Sequence, residues 1–409
     1  MKRGKSKQKY FIRDVIAMLL LIIISPQALV FGNNSIHFFI TVTNLFSILF
    51  AFYYFLIKGN NNNSYSNNAI IIVMLLSMFV TGLINLELSL EYVVRFFYGV
   101  TAIYYVRKIS FKRFVDTYIL VMKFLAIWSI ATIIIGVVAH GIISKFPVIS
   151  TFQGLDYFCT GFANYPTYVW RAFRLMGPFR EPGVAQIFFN LAITFSLFFN
   201  DKIKWMTISI LFLSVVLTFS TTGYFVLAIN LGYYWLKKQK ELSTVASVML
   251  FLFSLIVVVG ALTYTSYSLE ESIVFSKFYD EDNDSVTSRF GSIVANWEMI
   301  KLNPIIGNGI LSVEDLFSKL SIYKGVTSEH NTNTLLVQFA TFGILYGTLF
   351  VTLIWRFSKI VSFSITSRIL VFLMFCLSLS GEDVTRCLIL YIILCYGADY
   401  KLQMKGIYG

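Results

Sequence analysis

The chain has 409 residues, 57% hydrophobic, 17% aromatic and only 13% charged, with a mean hydropathy of +0.73. A soluble domain carries about 25% charged residues, so a soluble globular fold is excluded. The formal net charge of +12 would suit a nucleic-acid binder, but the placement of those charges along the chain argues against one.

Apolar runs long enough to cross a bilayer recur along nearly the whole length. In lipid the backbone must satisfy its own hydrogen bonds, so such runs are helices, and they lack the alternation of a barrel strand. A basic start (Lys2, Arg3, Lys5, Lys7, Lys9) precedes the first run without a small-residue cleavage site after it, so that run reads as a span. Twelve spans are expected, at 12–31, 36–57, 68–85, 91–106, 114–139, 183–200, 204–219, 222–236, 244–264, 331–355, 366–381 and 384–399.

Charge orients this trace. With the N-terminus inside, the inner segments hold Lys58; Arg107, Lys108, Lys112 and Arg113; Lys202 and Lys204; Lys237, Lys238 and Lys240; Arg356, Lys359 and Arg368; and Lys401 and Lys405. The short outer turns hold acids instead: Glu87, Glu91, Glu382 and Asp383. Both termini are therefore expected in the cytoplasm, and the positive charge is topogenic. Cys159, Cys376, Cys387 and Cys395 have no paired spacing, so neither a disulfide framework nor a metal site is implied. The whole chain reads as one integral membrane domain, 1–409, with two long outer loops at about 140–182 and 265–330.

The first loop ends in a polar island, Arg174-Leu-Met-Gly-Pro-Phe-Arg-Glu-Pro-Gly183, preceded by the aromatic stretch Asn164-Tyr-Pro-Thr-Tyr-Val-Trp170. Pro182 falls where the sixth helix should begin, a favoured place for proline. That puts Arg180 and Glu181 at a helix N-terminus, where arginines suit a phosphate or anchor to lipid headgroups. The second loop opens on Asp280-Glu-Asp-Asn-Asp284, which lacks the glycine and closing glutamate of an EF-hand and reads as a solvated acidic turn. Val286, Phe290, Ile293, Val294, Trp297 and Ile300 then recur at helical spacing, as in an amphipathic helix lying at the outer membrane interface, with Arg289 and Glu298 off the apolar stripe. Asn303-Pro-Ile-Ile-Gly-Asn-Gly309 ends that helix in a turn, and Glu329-His330-Asn331 directly precede the tenth span. If both islands lie outside, they can form one polar site. Within the spans, Arg95 and Arg386 lie about one turn from Glu91 and from Glu382 and Asp383, and Lys123 can snorkel inward.

These motifs, in this order, resemble the O-antigen polymerase and O-antigen ligase family: the 174–183 island, Ser288-Arg289…Trp297…Asn303-Pro304…Gly307-Asn-Gly309, and Glu329-His330-Asn331…Leu335…Gly343…Gly347. The last two blocks also look distantly like the peptidoglycan polymerases of the shape, elongation, division and sporulation family. Those carry an aspartate where this chain has Thr332, which argues against a peptidoglycan role.

The resemblance implies an all-α, glycosyltransferase-C-like membrane enzyme that needs no metal or other cofactor. Its donor would be a glycan on undecaprenyl diphosphate at the outer face of a bacterial inner membrane. A polymerase passes the growing glycan to the next lipid-linked repeat unit, and a ligase passes it to lipid A core or a protein. The two sizeable loops favour the polymerase. Arg174, Arg180 and Arg289 are the candidate diphosphate clamp. His330 is the first candidate for general base, with Glu329 second and Glu181 an alternative. Tyr165, Tyr168, Trp170 and Asn331 are candidate sugar contacts, the aromatics being better suited to interfacial anchoring. Membrane lipid and a chain-length regulator protein are the expected partners, and nucleic acid is not. A lipid-linked glycan flippase is the competing class; it would need charges lining a path open to both sides, whereas this chain gathers its unexplained polar residues outside.

Overall fold

The computed structural model describes residues 2–23, 25, 27–29, 69–150, 155–167, 174–199, 204–238, 284–323, 331–362 and 364–400. The expected spans 36–57 and 244–264, the acidic turn at 280–283, and Tyr168, Trp170, Glu329 and His330 lie outside the described residues. What is described is mostly helical and falls into two compact units, one of 1–68, 94–220 and 386–409, the other of 69–93 and 221–385.

The first unit contains α1 (Lys2–Ile23), most of α3 (Leu90–Lys108), α4 (Phe111–Val138), the single turn α5 (His140–Ile143), α6 (Pro182–Thr194), α7 (Trp205–Leu217) and α13 (Leu388–Ala398). α1, α6 and α7 pack on α4. Aromatic side chains fill the joint. Phe111 lies 5.3 Å from Tyr396 between ring centroids, and Phe114 lies 5.9 Å from Phe195. Such pairs add about 0.5–1.5 kcal/mol each beyond burial. Their hydroxyls find acceptors, Tyr118 donating to the Phe188 carbonyl at 3.1 Å and Tyr396 to that of Ile109 at 2.8 Å. α6 runs on as one π-helical turn, Phe195–Phe199.

One departure from an all-helical fold sits in the first long loop. Strands β1 (Val148–Ser150), β2 (Asp156–Cys159) and β3 (Asn164–Pro166) form an antiparallel sheet in that order, in the register Ile149 to Tyr157 and Phe158 to Tyr165. At three or four residues each, they are too short to show period-two alternation. The sheet is tied to α4 by Trp128 Nε1 donating to Thr160 Oγ1 at 3.1 Å.

The second unit holds α2 (Ala69–Ile84), α8 (Thr221–Lys238), α9 (Asp284–Leu302), α10 (Ile310–Tyr323), α11 (Thr334–Val361) and α12 (Ile365–Gly381). α11 is its axis: α2, α9 and α12 all pack against it. It is broken at Gly343, which has φ 76° and ψ −177°. That conformation favours glycine, and the break frees backbone groups that need other partners.

Those partners come from the Asn303–Gly309 turn. The backbone N–H of Asn308 donates to the Ala340 carbonyl and that of Gly309 to Thr341, both at 2.9 Å. Ile344 N–H donates back to the Pro304 carbonyl at 2.9 Å. The Asn308 side-chain amide joins the Met299 and Ala340 carbonyls at 2.8 and 2.9 Å. Gly307 and Gly343 permit the approach: a Cβ on either would sit 2.3 Å from the Thr341 oxygen or 2.1 Å from the Ile305 oxygen. The glycines of this motif are thus a packing device.

Candidate functional site

Pro182 is the first residue of α6, with Glu181 as its N-cap in extended conformation, as its position in the sequence suggests. Arg180 sits beside that helix start, its Nε 3.4 Å from Glu181 Oε1, with a half-buried guanidinium. The loop before it is held on both flanks. Arg180 N–H donates to the Gln27 carbonyl at 2.9 Å, Leu29 N–H to Pro178 at 2.8 Å, and Asn164 N–H to Gly177 at 2.8 Å.

Arg174 has a different task. Its Nε donates to the Thr218 carbonyl at 3.2 Å and its Nη2 lies 3.5 Å from that of Phe219. Leu175 N–H donates to Leu217 at 2.7 Å. These carbonyls end α7, where a cation also meets the negative end of the helix dipole. Arg174, a candidate phosphate ligand, here caps a helix, a contact that sequence spacing alone does not reveal because the two segments are far apart in the chain.

Tyr165, a candidate sugar contact, is placed inside the fold of its unit. It is 3% exposed, with its ring against Gly136 of α4 and clustered with Ile143 and Phe158. Burial also pushes its phenol above the ordinary value. A ring in that position packs the loop onto α4 and has no free face for a sugar.

In the second unit, α9 turns a small and polar side inward: Gly291, Ser292, Ala295, Asn296 and Met299 are buried. Of the expected apolar stripe, Ile293 and Trp297 are exposed from the protein, whereas Ile300 packs against the core around Met299. The inward side joins two motifs that lie far apart in the sequence. Asn296 and Asn331 exchange a reciprocal amide pair at 2.9 and 3.0 Å. Thr332 N–H donates to Ser292 Oγ at 3.1 Å. Asn331 Oδ1 also accepts the Asn333 N–H, and Asn333 Oδ1 caps α11 by accepting from Leu336 N–H at 2.9 Å. The Asn331 side chain thus pins the entry to α11.

One turn before Ser292 on the same helix, Arg289 Nη2 lies 3.6 Å from Glu382 Oε1, a carboxylate that is itself buried. The Glu382 segment is bolted to the same helix start. Thr334 Oγ1 donates to the Glu382 carbonyl and accepts from Val384 N–H, each at 2.7 Å. Arg289, Ser292, Asn296, Asn331, Thr334 and Glu382 therefore form one polar knot where α9, the start of α11 and the end of α12 meet. Ser292, Asn296, Thr334 and the role of Glu382 are not evident from sequence. The i, i+3, i+7 spacing of Arg289, Ser292 and Asn296 is the one sequence signal that could have grouped them.

The fold and this knot define a helical membrane protein. Three described helices, Phe111–Val138, Pro182–Phe199 and Thr334–Val361, are long and apolar enough to cross a bilayer. Residues 206–351 match the family described as O-Antigen ligase, which agrees with the O-antigen polymerase and ligase family that the motifs resemble. The matched segment includes Arg289, Asn296 and Asn331; Arg180, Glu181 and Glu382 lie outside it. A search of curated proteins gave no match.

Proposed function

We propose that the chain is an O-antigen, or related surface polysaccharide, polymerase of the bacterial inner membrane. The family match supports polymerase- or ligase-type glycosyl transfer. On this reading both termini are cytoplasmic and the chemistry faces the periplasm, as charge along the sequence suggests. The observation that carries the proposal is the hydrogen-bonded union of the Arg289 and Asn331 motif blocks through Asn296.

In the proposed reaction an acceptor sugar hydroxyl attacks the anomeric carbon of a glycan on undecaprenyl diphosphate. The bond from that carbon to the phosphate oxygen breaks, the glycosidic bond forms, and the hydroxyl proton passes to a base. Negative charge grows on the leaving diphosphate, so fixed cations lower the barrier. Arg289 is assigned to that charge, its partner Glu382 holding the guanidinium in place until substrate arrives. Arg180 is assigned to phosphate from its position at a helix N-terminus. His330 is the proposed base, with Glu329 and Glu181 as the alternatives.

Deleting the protein separates polymerase from ligase. Loss of a polymerase leaves single repeat units on the final acceptor; loss of a ligase leaves full-length polymer on the lipid carrier. Polymer accumulating on undecaprenyl diphosphate in the deletion strain would overturn the polymerase reading and favour the ligase.

A further inference from the structure

α9 carries an apolar edge that the protein leaves uncovered. Ile293 is 43% exposed and Trp297, one turn on, is 55% exposed. Beyond the helix end, Ile305 in the turn is 74% exposed. In water, that edge of a helix would be charged. The charged group on this edge is Lys301, whose Nζ lies 6.0 Å over the Trp297 ring and 3.1 Å from Glu298 Oε1.

The edge does not end at α9. Ser292 meets Thr332 near the start of α11, and the Asn308 side chain bridges Met299 to Ala340 further along it. So α9 runs beside the first segment of α11, in the same direction, down to the Gly343 break. There the turn is bonded to Ile344 and, through the Ile306 carbonyl at 2.7 Å, to Thr81 of α2. α11 exposes Ile344 and Leu345, and α2 exposes Val80, Leu83 and Ile84. Ile305 thus adjoins the outward surfaces of two apolar helices, one of them long enough to span.

We infer that the Ile293–Trp297–Ile305 edge of α9 is seated in the outer-leaflet lipid, with Trp297 and Lys301 at headgroup level and Ile305 among the acyl chains. A tryptophan–lysine pair suits that boundary: the indole is amphipathic and the ammonium meets lipid phosphate. Continuity with the apolar surface of α11 and α2 favours lipid over a protein partner, which would need a patch of its own. The inference concerns where α9 sits and is independent of the polymerase reading.

The test uses the full chain in vesicles of phosphatidylcholine and phosphatidylglycerol, with and without acyl chains brominated near the headgroup. The difference between wild type and Trp297→Phe isolates the Trp297 emission. It should fall about twofold in brominated vesicles and respond little to aqueous iodide. Moving the indole one turn, with Ile293→Trp in the Trp297→Phe chain, should give the same pattern. Iodide quenching without bromine quenching would mean a water-exposed edge and overturn the inference. Protection from both quenchers would mean a second copy or another protein covers it, and would overturn it equally. Because no glycosyl transfer is read, the result stands apart from any failure of the polymerase proposal.

Discussion

The two polar islands both combine glycine, proline and arginine, yet the units that hold them are built differently. In the first unit a cation closes the C-terminal end of a helix, Arg174 on the last carbonyls of α7. In the second an anion closes the N-terminal end of one. Glu87 accepts from the Ser312 N–H and hydroxyl at 3.0 and 2.9 Å in the first turn of α10, and from the Tyr92 hydroxyl at 2.9 Å. Each sign matches the helix dipole it faces. The lesson is that Arg174 and the glycines Gly307, Gly309 and Gly343 hold segments in place, and the proposed chemistry rests on Arg180 and Arg289 among the described cations.

The largest expected effect tests the glycine half of that lesson. Gly343→Ala would place a methyl 2.1 Å from the Ile305 carbonyl oxygen and keep a positive φ. A cost above about 3 kcal/mol follows, and folded protein recovered from membranes should nearly vanish. Gly232→Ala, where a Cβ meets nothing within 4 Å, is the matched control and should leave the yield intact. Equal yields from the two variants would show that the α11 break is not held as described.

Arg289→Ala comes next. If the guanidinium stabilises a leaving diphosphate, transfer should fall by about 10²–10³-fold, or about 2.7–4 kcal/mol, with the protein still present in the membrane. Elongation of lipid-linked repeats by the purified variant measures this. Arg174→Ala should do the reverse, lowering thermal stability by about 1.5–3 kcal/mol through its lost charged hydrogen bonds, while each folded molecule keeps its turnover. Unchanged stability with lost turnover would return Arg174 to the diphosphate.

Much of the fold could be read from the chain because its signal is local. Apolar runs located α2, α4, α6 and α12 to within a few residues, and Pro182 marked the start of α6. What escaped depends on contacts between distant segments. The run 335–355 is largely apolar and carries no proline, so nothing local announces a break at Gly343; the break exists because a turn some 35 residues earlier supplies its hydrogen bonds. Tyr165 has an aromatic side chain suited equally to a sugar or a core, and only Gly136 beneath it decides. Of the expected stripe on α9, Ile293 and Trp297 face away from the protein while Ile300 packs on its core, and the polar joining chemistry is carried by Ser292 and Asn296.

The smallest effect probes the Glu87 cap. Glu87→Gln keeps the size of the side chain and its ability to accept from Ser312, but removes the charge facing the α10 N-terminus. The dipole contribution alone is about 0.3–1 kcal/mol, so thermal stability should fall by about that much and turnover should hold. High salt should leave the difference largely in place, because the carboxylate is partly enclosed by Tyr92 and Ser312. A large loss of turnover at unchanged stability would instead make Glu87 a participant in the reaction and reverse the reading of this acid as a brace. Gly309 gives an independent check on the same contact. A Cβ there would meet Glu87 Oε1 at 1.7 Å, so Gly309→Ala must displace the carboxylate and should cost more than Glu87→Gln if the cap is what that close approach serves.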